Sequence, residues 1–245
     1  MAECVAAGRG HVHLIGVCGV GMAGLAWLLK ARGFTVSGCD RERNRLAEWL
    51  EARGIAVRAG HDPEHVAGDV AWVVRTAAVP ADAPEPRRAA ERGLSVWPRG
   101  AVLPALLPGR FSIAVGGTHG KTTTSGFIAQ MLARAGRDPS WCIGGEVEPL
   151  DGVAGVGRGD ALVVEADESD GTLALYRPDV AVITNIERDH LEHFAGEAEL
   201  EACFRRFAAG AARRIVYCAD DPWAAAVCGG LARALGYGCG ADARL

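Results

Sequence analysis

The sequence predicts an α/β protein built from two consecutive domains, each a parallel sheet flanked by helices. Short apolar runs alternate with segments of helical periodicity along the chain, which is typical of parallel strands joined by helices. A proline-rich stretch at 98–110 interrupts this alternation, and the pattern restarts after it. Since 245 residues suit two domains of about 100–150 residues each, we place the first domain at 1–107 and the second at 108–245.

The first domain shows the alternation of strands and helices most clearly. Its apolar runs predict strands at 11–16, 34–39, 55–58, 70–75 and 94–97. The spacing of three leucines predicts a helix at 21–32, and a second helix at 43–53 is expected to end at Gly54.

The loop between the first strand and the first helix carries a glycine motif. Gly19, Gly21 and Gly24 satisfy G-x-G-x-x-G, and Asp40 ends the next strand about 20 residues later, as the dinucleotide-binding fingerprint requires. Such glycines let the backbone approach a pyrophosphate at a helix N-terminus, and Asp40 can accept hydrogen bonds from a sugar hydroxyl. The first domain is therefore predicted to be Rossmann-like. NAD, FAD and a UDP-sugar all fit as ligands, and glycines that serve only turns and close packing remain the alternative.

The second domain repeats the strand–loop–helix pattern. Its first strand is predicted at 111–115 and its first helix begins at Lys121. Later apolar runs predict strands at 161–164, 180–184 and 214–218, and a helix is predicted at 222–235.

The loop before Lys121 resembles a phosphate-binding loop. Gly120, Lys121 and Thr122 form its functional end, in which the lysine reaches phosphate oxygens and the threonine hydroxyl binds Mg²⁺. Val115 occupies the place of the first glycine in the general pattern. Lys121 is one of only two lysines in an arginine-rich chain, which favours a chemical role. The second domain is therefore predicted to be P-loop NTPase-like.

Acidic residues and a histidine follow the later strands of the second domain. Glu165 directly follows an apolar strand, which favours a metal ligand. The acids after it can equally belong to a metal site or to a solvated loop; they are Asp167, Glu168 and Asp170. His190 follows the strand at 180–184 and is either a metal ligand, a phosphate contact or a surface histidine.

The composition excludes several classes of protein. Hydrophobic residues make up 49% and charged residues 23%, as in globular proteins. The net charge of −4 lacks the basic surplus of nucleic-acid binders, and no apolar run approaches the ~18 residues of a membrane helix. Without a signal-peptide pattern, the chain is expected to be cytoplasmic and to bind neither nucleic acid nor membrane. The eight cysteines form no C-x-x-C pair, which favours scattered thiols over a zinc or disulfide framework.

Four motifs together resemble the Mur ligases of peptidoglycan synthesis. They read HLIGVCGVGMAGLA (13–26) with SGCD (37–40), AVGGTHGKTTT (114–124), VVEADESDGTL (163–173) and RPDVAVITNIERDHLEHF (177–194). The resemblance covers almost the whole chain. It also accounts for Val115, because the loop of this family lacks the first glycine of the general pattern.

The resemblance implies a role for each motif residue. The N-terminal domain is expected to bind the UDP of UDP-N-acetylmuramate at Gly16, Gly19, Gly21, Met22, Gly24 and Asp40. The central domain is expected to bind ATP at Gly117, Thr118, His119, Gly120, Lys121, Thr122, Thr123 and Asn185. Thr122, Glu165 and His190 match positions that hold Mg²⁺ in the family, and Lys121, Glu165 and His190 are the expected catalytic residues.

The reaction that the resemblance implies joins L-alanine to UDP-N-acetylmuramate. ATP phosphorylates the muramoyl carboxylate, and the alanine amine then displaces phosphate to form an amide. Because family members continue into a further domain, the resemblance implies that this chain is truncated and inactive by itself. Three alternatives stay open: a ligase that adds a recycled peptide to the same nucleotide, an NAD-dependent oxidoreductase, and a non-catalytic nucleotide-binding half-protein.

Overall fold

The computed structural model divides the chain into two compact units. The first comprises residues 1–106 and 142–156, and the second comprises 107–141 and 157–245. The structure describes residues 1, 4–5, 8–148, 150–169, 171–188 and 194–239. Both units consist of parallel strands and helices, which confirms the predicted fold class.

A five-stranded parallel sheet forms the centre of the first unit. Its strands are β1 (His11–Ile15), β2 (Thr35–Asp40), β3 (Ala56–Ala59), β4 (Val70–Arg75) and β5 (Ser95–Pro98). They lie in the order β3-β2-β1-β4-β5, and each neighbouring pair is parallel. The chain order reverses between β1 and β4. The loop after β1 therefore lies at the switch point, where open α/β sheets bind ligands.

Helices beside this sheet include α1 (Val20–Ala31), α2 (Arg45–Glu51), α3 (Pro84–Glu91) and the single turn α4 (Arg99–Val102). α1 buries apolar residues such as Leu25 and Leu29, and α2 is capped by Asn44, whose side chain accepts the Leu46 N–H at 2.8 Å. The sequence analysis named no helix between β4 and β5. The α3 segment is short and rich in proline and charge, so it shows no apolar stripe to predict it from.

A second parallel arrangement forms the centre of the second unit. The strands from here on are β6 (Phe111–Gly116), β7 (Ser140–Cys142), β8 (Ala154–Gly155), β9 (Ala161–Glu165), β10 (Val180–Ile183), β11 (Arg214–Cys218) and β12 (Ala234–Tyr237). Five of them lie in the order β12-β11-β10-β6-β9, and their neighbouring pairs are parallel. The carboxyl ends of β6, β9 and β10 consequently lie side by side at one edge.

The helices of the second unit are α5 (Lys121–Arg134), α6 (Glu197–Ala209) and α7 (Pro222–Cys228). The prediction of one helix over 222–235 was wrong in its second half, because β12 begins at Ala234. Gly229 and Gly230 follow α7 directly, and Arg233 takes a positive φ of 72°. These residues turn the chain into an edge strand. Among the described residues, no helix has both the length and the apolar character to cross a bilayer.

Asp179 ties the start of β10 to its neighbours. Its carboxylate accepts the Ser112 N–H at 2.9 Å, the Ser112 hydroxyl at 3.2 Å and the Arg213 Nε–H at 2.9 Å. Burial alone would raise the pKa of the Asp179 carboxyl, but the hydrogen bonds from Ser112 and Arg213 outweigh it and leave the pKa below its ordinary 3.8. The charged form of Asp179 therefore stabilises the fold.

We expect Asp179→Asn to lower the free energy of unfolding at neutral pH by about 1–2 kcal/mol, because it removes charge-assisted hydrogen bonds. A carboxyl with a depressed folded-state pKa contributes stability above its unfolded pKa and loses it as the pH falls through the folded value. The difference in free energy of unfolding between Asp179→Asn and the parent should therefore become smaller below pH 4. Urea unfolding at pH 7 and near pH 3 tests this, with the exposed Asp82→Asn as the control; an equal loss at both pH values would contradict it.

Candidate functional site

The loop after β1 depends on a glycine at its first position. Gly16 has a φ of +79°, and a Cβ there would lie 2.4 Å from Thr76 Cγ2, so larger residues are excluded. The N–H groups of Gly16 and Val17 both donate to the Cys39 carbonyl, at 2.8 and 3.0 Å. The loop is thus held against the end of β2 before α1 begins after Gly19.

A cavity of about 500 Å³ lies beside this loop and brings together three of the predicted residues, Gly16, Gly19 and Asp40. Asp40 Oδ2 accepts the Cys18 N–H at 2.8 Å, and Asn44 Nδ2 donates to the Cys18 carbonyl at 3.1 Å. Asp40 and Asn44 therefore shape the loop and line the cavity at the same time. The sequence motif predicts Asp40 as a sugar contact but not this second role, and it gives no signal for Asn44.

The other three residues assigned to the first site serve packing. A Cβ at Gly24 would lie 2.7 Å from Cys142 Sγ and 3.4 Å from Ala154 Cβ, so the glycine lets α1 approach this segment closely. Met22 is 2% exposed, and a Cβ at Gly21 would lie 2.7 Å from Arg99 Nη1. Gly21, Met22 and Gly24 do not line the cavity beside Gly16.

The loop between β6 and α5 also depends on glycine. Gly117 has a φ of +136°, and a Cβ there would lie 2.0 Å from Thr184 Oγ1. Gly120, with a φ of +78°, is the residue from which α5 begins. The backbone thus passes close to the end of β10 and then turns directly into a helix N-terminus.

The residues after β10 clamp this loop. Thr184 Oγ1 donates to the His119 carbonyl at 2.7 Å. Asn185 Oδ1 accepts the His119 N–H at 2.8 Å, and Asn185 Nδ2 donates to the His119 carbonyl at 3.1 Å. The Asn185 carbonyl accepts the Thr118 N–H at 3.0 Å. These four hydrogen bonds hold the middle of the loop, and no sequence pattern predicts this role for Thr184.

Two oxygen-bearing side chains meet at the start of α5. The Thr122 hydroxyl donates to Glu165 Oε2 at 2.9 Å, which joins the first turn of α5 to the end of β9. Thr123 follows on the same turn with an exposed side chain. A hydroxyl and a carboxylate at this distance are the hard oxygen ligands that Mg²⁺ prefers, so the pair fits a magnesium ion. His190, the third residue predicted to bind metal, lies outside the described residues.

Lys121 is held in a buried ion pair. Its Nζ donates to the Gly117 carbonyl at 2.6 Å, to the Thr118 carbonyl at 3.0 Å and to Glu168 Oε1 at 3.0 Å. Glu168 is 1% exposed. Burial raises the pKa of the Glu168 carboxyl above its ordinary value, although the Lys121 ammonium opposes the shift. The acidic run in the sequence left Glu168 open as a solvated residue, and its pairing with Lys121 could be recognised only from the fold.

We expect the Lys121–Glu168 pair to show strong coupling in stability. Lys121→Met and Glu168→Gln should each cost about 1–3 kcal/mol, because each leaves its partner's charge buried and unpaired. The double variant removes both charges, so it should be destabilised by less than the sum, with a coupling of about 1 kcal/mol or more. Urea unfolding of the four proteins measures this coupling, and additive losses would show that the two groups do not interact.

Comparison with known proteins identifies the family of both units. The sequence matches "Mur ligase family, catalytic domain" over residues 11–110 and "Mur ligase middle domain" over residues 115–244. The UDP-N-acetylmuramate–L-alanine ligase of Acidothermus cellulolyticus is 44% identical over 226 residues, 91% of this chain and 47% of that protein. The enzyme of the same name from Kineococcus radiotolerans is 47% identical over 227 residues, 90% and 48% of the two chains. The chain spans about half the length of the curated relatives it matches.

Solved structures give the same result. The UDP-N-acetylmuramate-alanine ligase of Thermotoga maritima superposes with a TM-score of 0.84 at 27% identity, over 93% of this chain and 53% of that one. A UDP-N-acetylmuramate:L-alanyl-gamma-D-glutamyl-meso-diaminopimelate ligase from Neisseria meningitides also gives 0.84, at 28% identity, over 93% and 78% of the two chains. The sequence and the fold agree across both units, and the chain therefore belongs to the Mur ligase family.

Proposed function

We propose that this chain is the nucleotide-binding part of an ATP-dependent ligase that joins L-alanine to UDP-N-acetylmuramate in peptidoglycan synthesis. The observation that carries the proposal lies in the second unit. There a helix N-terminus, the Lys121 ammonium and the Thr122–Glu165 oxygen pair meet around one glycine-rich loop. The relatives named above are L-alanine ligases at 44 and 47% identity, which favours L-alanine as the amine.

The start of α5 is proposed to bind the phosphates of ATP. The first N–H groups of a helix have no intrahelical partner, so Gly120, Lys121 and Thr122 offer amide donors at the positive end of the helix dipole. The amides of Thr118 and His119 are engaged by Asn185. We assign these three residues to the shape of the loop rather than to direct phosphate contact. Lys121 would exchange its carbonyl partners and Glu168 for phosphate oxygens.

The Thr122–Glu165 pair is proposed to hold Mg²⁺, with His190 as a further expected ligand. The donor set fits, since the Thr122 hydroxyl oxygen and Glu165 Oε2 are 2.9 Å apart. When bound, magnesium would offset negative charge on the phosphate oxygens. Lys121 would supply further positive charge at the same place.

The chemistry explains why ATP is needed. An amine does not displace oxide from a carboxylate, so the muramoyl carboxylate must first receive a leaving group. A carboxylate oxygen attacks the γ-phosphorus and ADP departs, which leaves an acyl phosphate. The L-alanine nitrogen then attacks the acyl carbon, phosphate departs with the C–O bond electrons, and the nitrogen loses a proton. Glu165, Lys121 and His190 are the residues that we propose at this centre.

The cavity of the first unit is proposed to bind the UDP moiety. Its lining joins the glycines of the β1–α1 loop, Gly16 and Gly19, to polar groups after β2, among them Asp40, Arg43 and Asn44. Glycines let a pyrophosphate approach the backbone closely, an arginine suits its charge, and carboxylate and amide side chains suit sugar hydroxyls. Gly21, Met22 and Gly24 support the site by packing α1.

A ligase that adds a peptide to UDP-N-acetylmuramate is the second candidate. The Neisseria meningitides structure named as such a ligase matches this chain with the same TM-score as the alanine ligase. Both candidates share the nucleotide and the ATP chemistry, and they differ only in the amine.

We expect UDP-N-acetylmuramate to raise the melting midpoint of the purified chain, because a ligand that binds only the folded state stabilises it by mass action. NAD at the same concentration serves as the comparison. A shift with NAD and none with the UDP-sugar would contradict the proposed site and favour an oxidoreductase.

We also expect Lys121→Ala to weaken MgATP binding by about tenfold or more, because a charge-assisted phosphate contact is lost. UDP-N-acetylmuramate binding should be unchanged. Titration calorimetry with each ligand tests this. Lys30→Ala is the matched control, since Lys30 is the only other lysine and donates to the Gly54 carbonyl in the first unit. Equal weakening of both ligands in a folded Lys121→Ala protein would overturn the two-site assignment.

A further inference from the structure

Five side chains form a cluster in the first unit, and none has a role in the reaction proposed above, although His61 also lines the cavity proposed for UDP. We call these five the His-Cys-Glu cluster; its members are His13 on β1, Cys39 on β2, His61 and His65 after β3, and Glu85 on α3. Four separate elements of the chain thus contribute side chains to one place. No single sequence motif contains all five residues, because they are spread over more than 70 positions.

The ligand atoms of the cluster form two groups that share Cys39, one with His61 and Glu85 and the other with His13 and His65, and within each group they lie within 4.8 Å of one another. Cys39 Sγ is 3.2 Å from Glu85 Oε1 and 3.9 Å from His61 Nδ1. Glu85 Oε1 is 2.9 Å from His61 Nδ1 and 3.6 Å from His65 Nδ1. Around a tetrahedral zinc ion with bonds of about 2.0–2.3 Å, ligand atoms are about 3.3–3.8 Å apart. Only small side-chain movements would be needed to place one ion between these atoms.

Two polar atoms of the cluster are buried without a hydrogen bond. They are Glu85 Oε2 and His65 Nδ1; the Glu85 side chain is fully buried and that of His65 is 9% exposed. A buried carboxylate oxygen or imidazole nitrogen without a partner is costly. A cation bound by His65 Nδ1 would give that nitrogen a partner and would offset the charge of the buried Glu85 carboxylate.

The charges of the cluster also suit a cation. A divalent ion would offset the negative charge of the Glu85 carboxylate, whose Oε1 lies 3.2 Å from Cys39 Sγ, and a coordinated thiol is deprotonated.

We infer that the His-Cys-Glu cluster is a zinc site, with Cys39, His61, His65 and Glu85 as the four ligands. The combination of one thiolate, two imidazoles and one carboxylate is typical of zinc rather than of Mg²⁺ or Ca²⁺, which take oxygen ligands. His13 lies behind the site. Its Nδ1 hydrogen-bonds the Ser37 hydroxyl at 2.9 Å and its Nε2 lies 3.4 Å from Cys39 Sγ, so it positions the sulfur.

Metal analysis of the purified 245-residue chain tests the inference. After removal of metals with a chelator and dialysis against zinc, the parent should retain one equivalent and its melting midpoint should rise. Loading with Co²⁺ should produce a thiolate-to-cobalt charge-transfer band in the near ultraviolet. Cys39→Ser should abolish this band and weaken zinc binding by about tenfold or more.

Two control variants make the outcome specific. Cys228→Ser removes another buried free thiol, and His11→Gln removes a β1 histidine outside the cluster; both should bind zinc like the parent. If Cys39→Ser does not fold, zinc binding is measured instead with His65→Gln and Glu85→Gln, since each removes one proposed ligand. Absence of retained zinc, a cobalt complex without the thiolate band, or equal zinc binding by the parent and the ligand variants would overturn the inference. The cluster would then be a hydrogen-bonded network in which Cys39 and His61 donate to Glu85.

Discussion

The hydrogen bonds that Thr184 and Asn185 make to His119 determine the geometry of the second unit's loop. They hold the middle of the loop from the neighbouring strand, and the amides that follow lie at the N-terminus of α5. They also bring the end of β10 so close that only glycine fits at position 117. Lys121 then lies where it can bond the Gly117 and Thr118 carbonyls. The shape of the site thus follows from side chains that make no direct contact with phosphate in our assignment.

In the first unit, different residues hold the corresponding loop. There Asp40 and Asn44, which follow β2, hold Cys18 in the loop after β1. In both units a loop after one strand is fixed by the residues that follow a neighbouring parallel strand. Parallel sheets favour this arrangement because their carboxyl ends lie side by side. In both loops a residue predicted to contact ligand, Asp40 or Asn185, also makes hydrogen bonds that hold the backbone.

The sequence predicted those parts of the fold and site that depend on local patterns. The alternation of strands and helices, the two glycine-rich loops and the places of Lys121 and Glu165 near strand ends could be predicted because their signals are local in the sequence. The ion pair of Lys121 with Glu168 and the hydrogen bond from Thr184 to the loop could not be predicted. In each case the two partners lie far apart in the sequence. The helix end at Cys228 was missed because two glycines and a positive φ at Arg233 outweighed helical periodicity. The His-Cys-Glu cluster was not predicted because its members are also far apart in the sequence. The irregular spacing of the cysteines favoured scattered thiols over a metal site.

The scarcity of lysine gives the Lys121–Glu168 pair a practical consequence. Amine-reactive acylating reagents can modify only the N-terminus and two side chains, Lys30 and Lys121. The side chain of Lys121 is 13% exposed and its ammonium is paired, so its reactivity reports directly on whether the pair is closed. A single peptide in a mass spectrum can therefore serve as a built-in chemical reporter of the state of the loop, without a fluorophore or an engineered label.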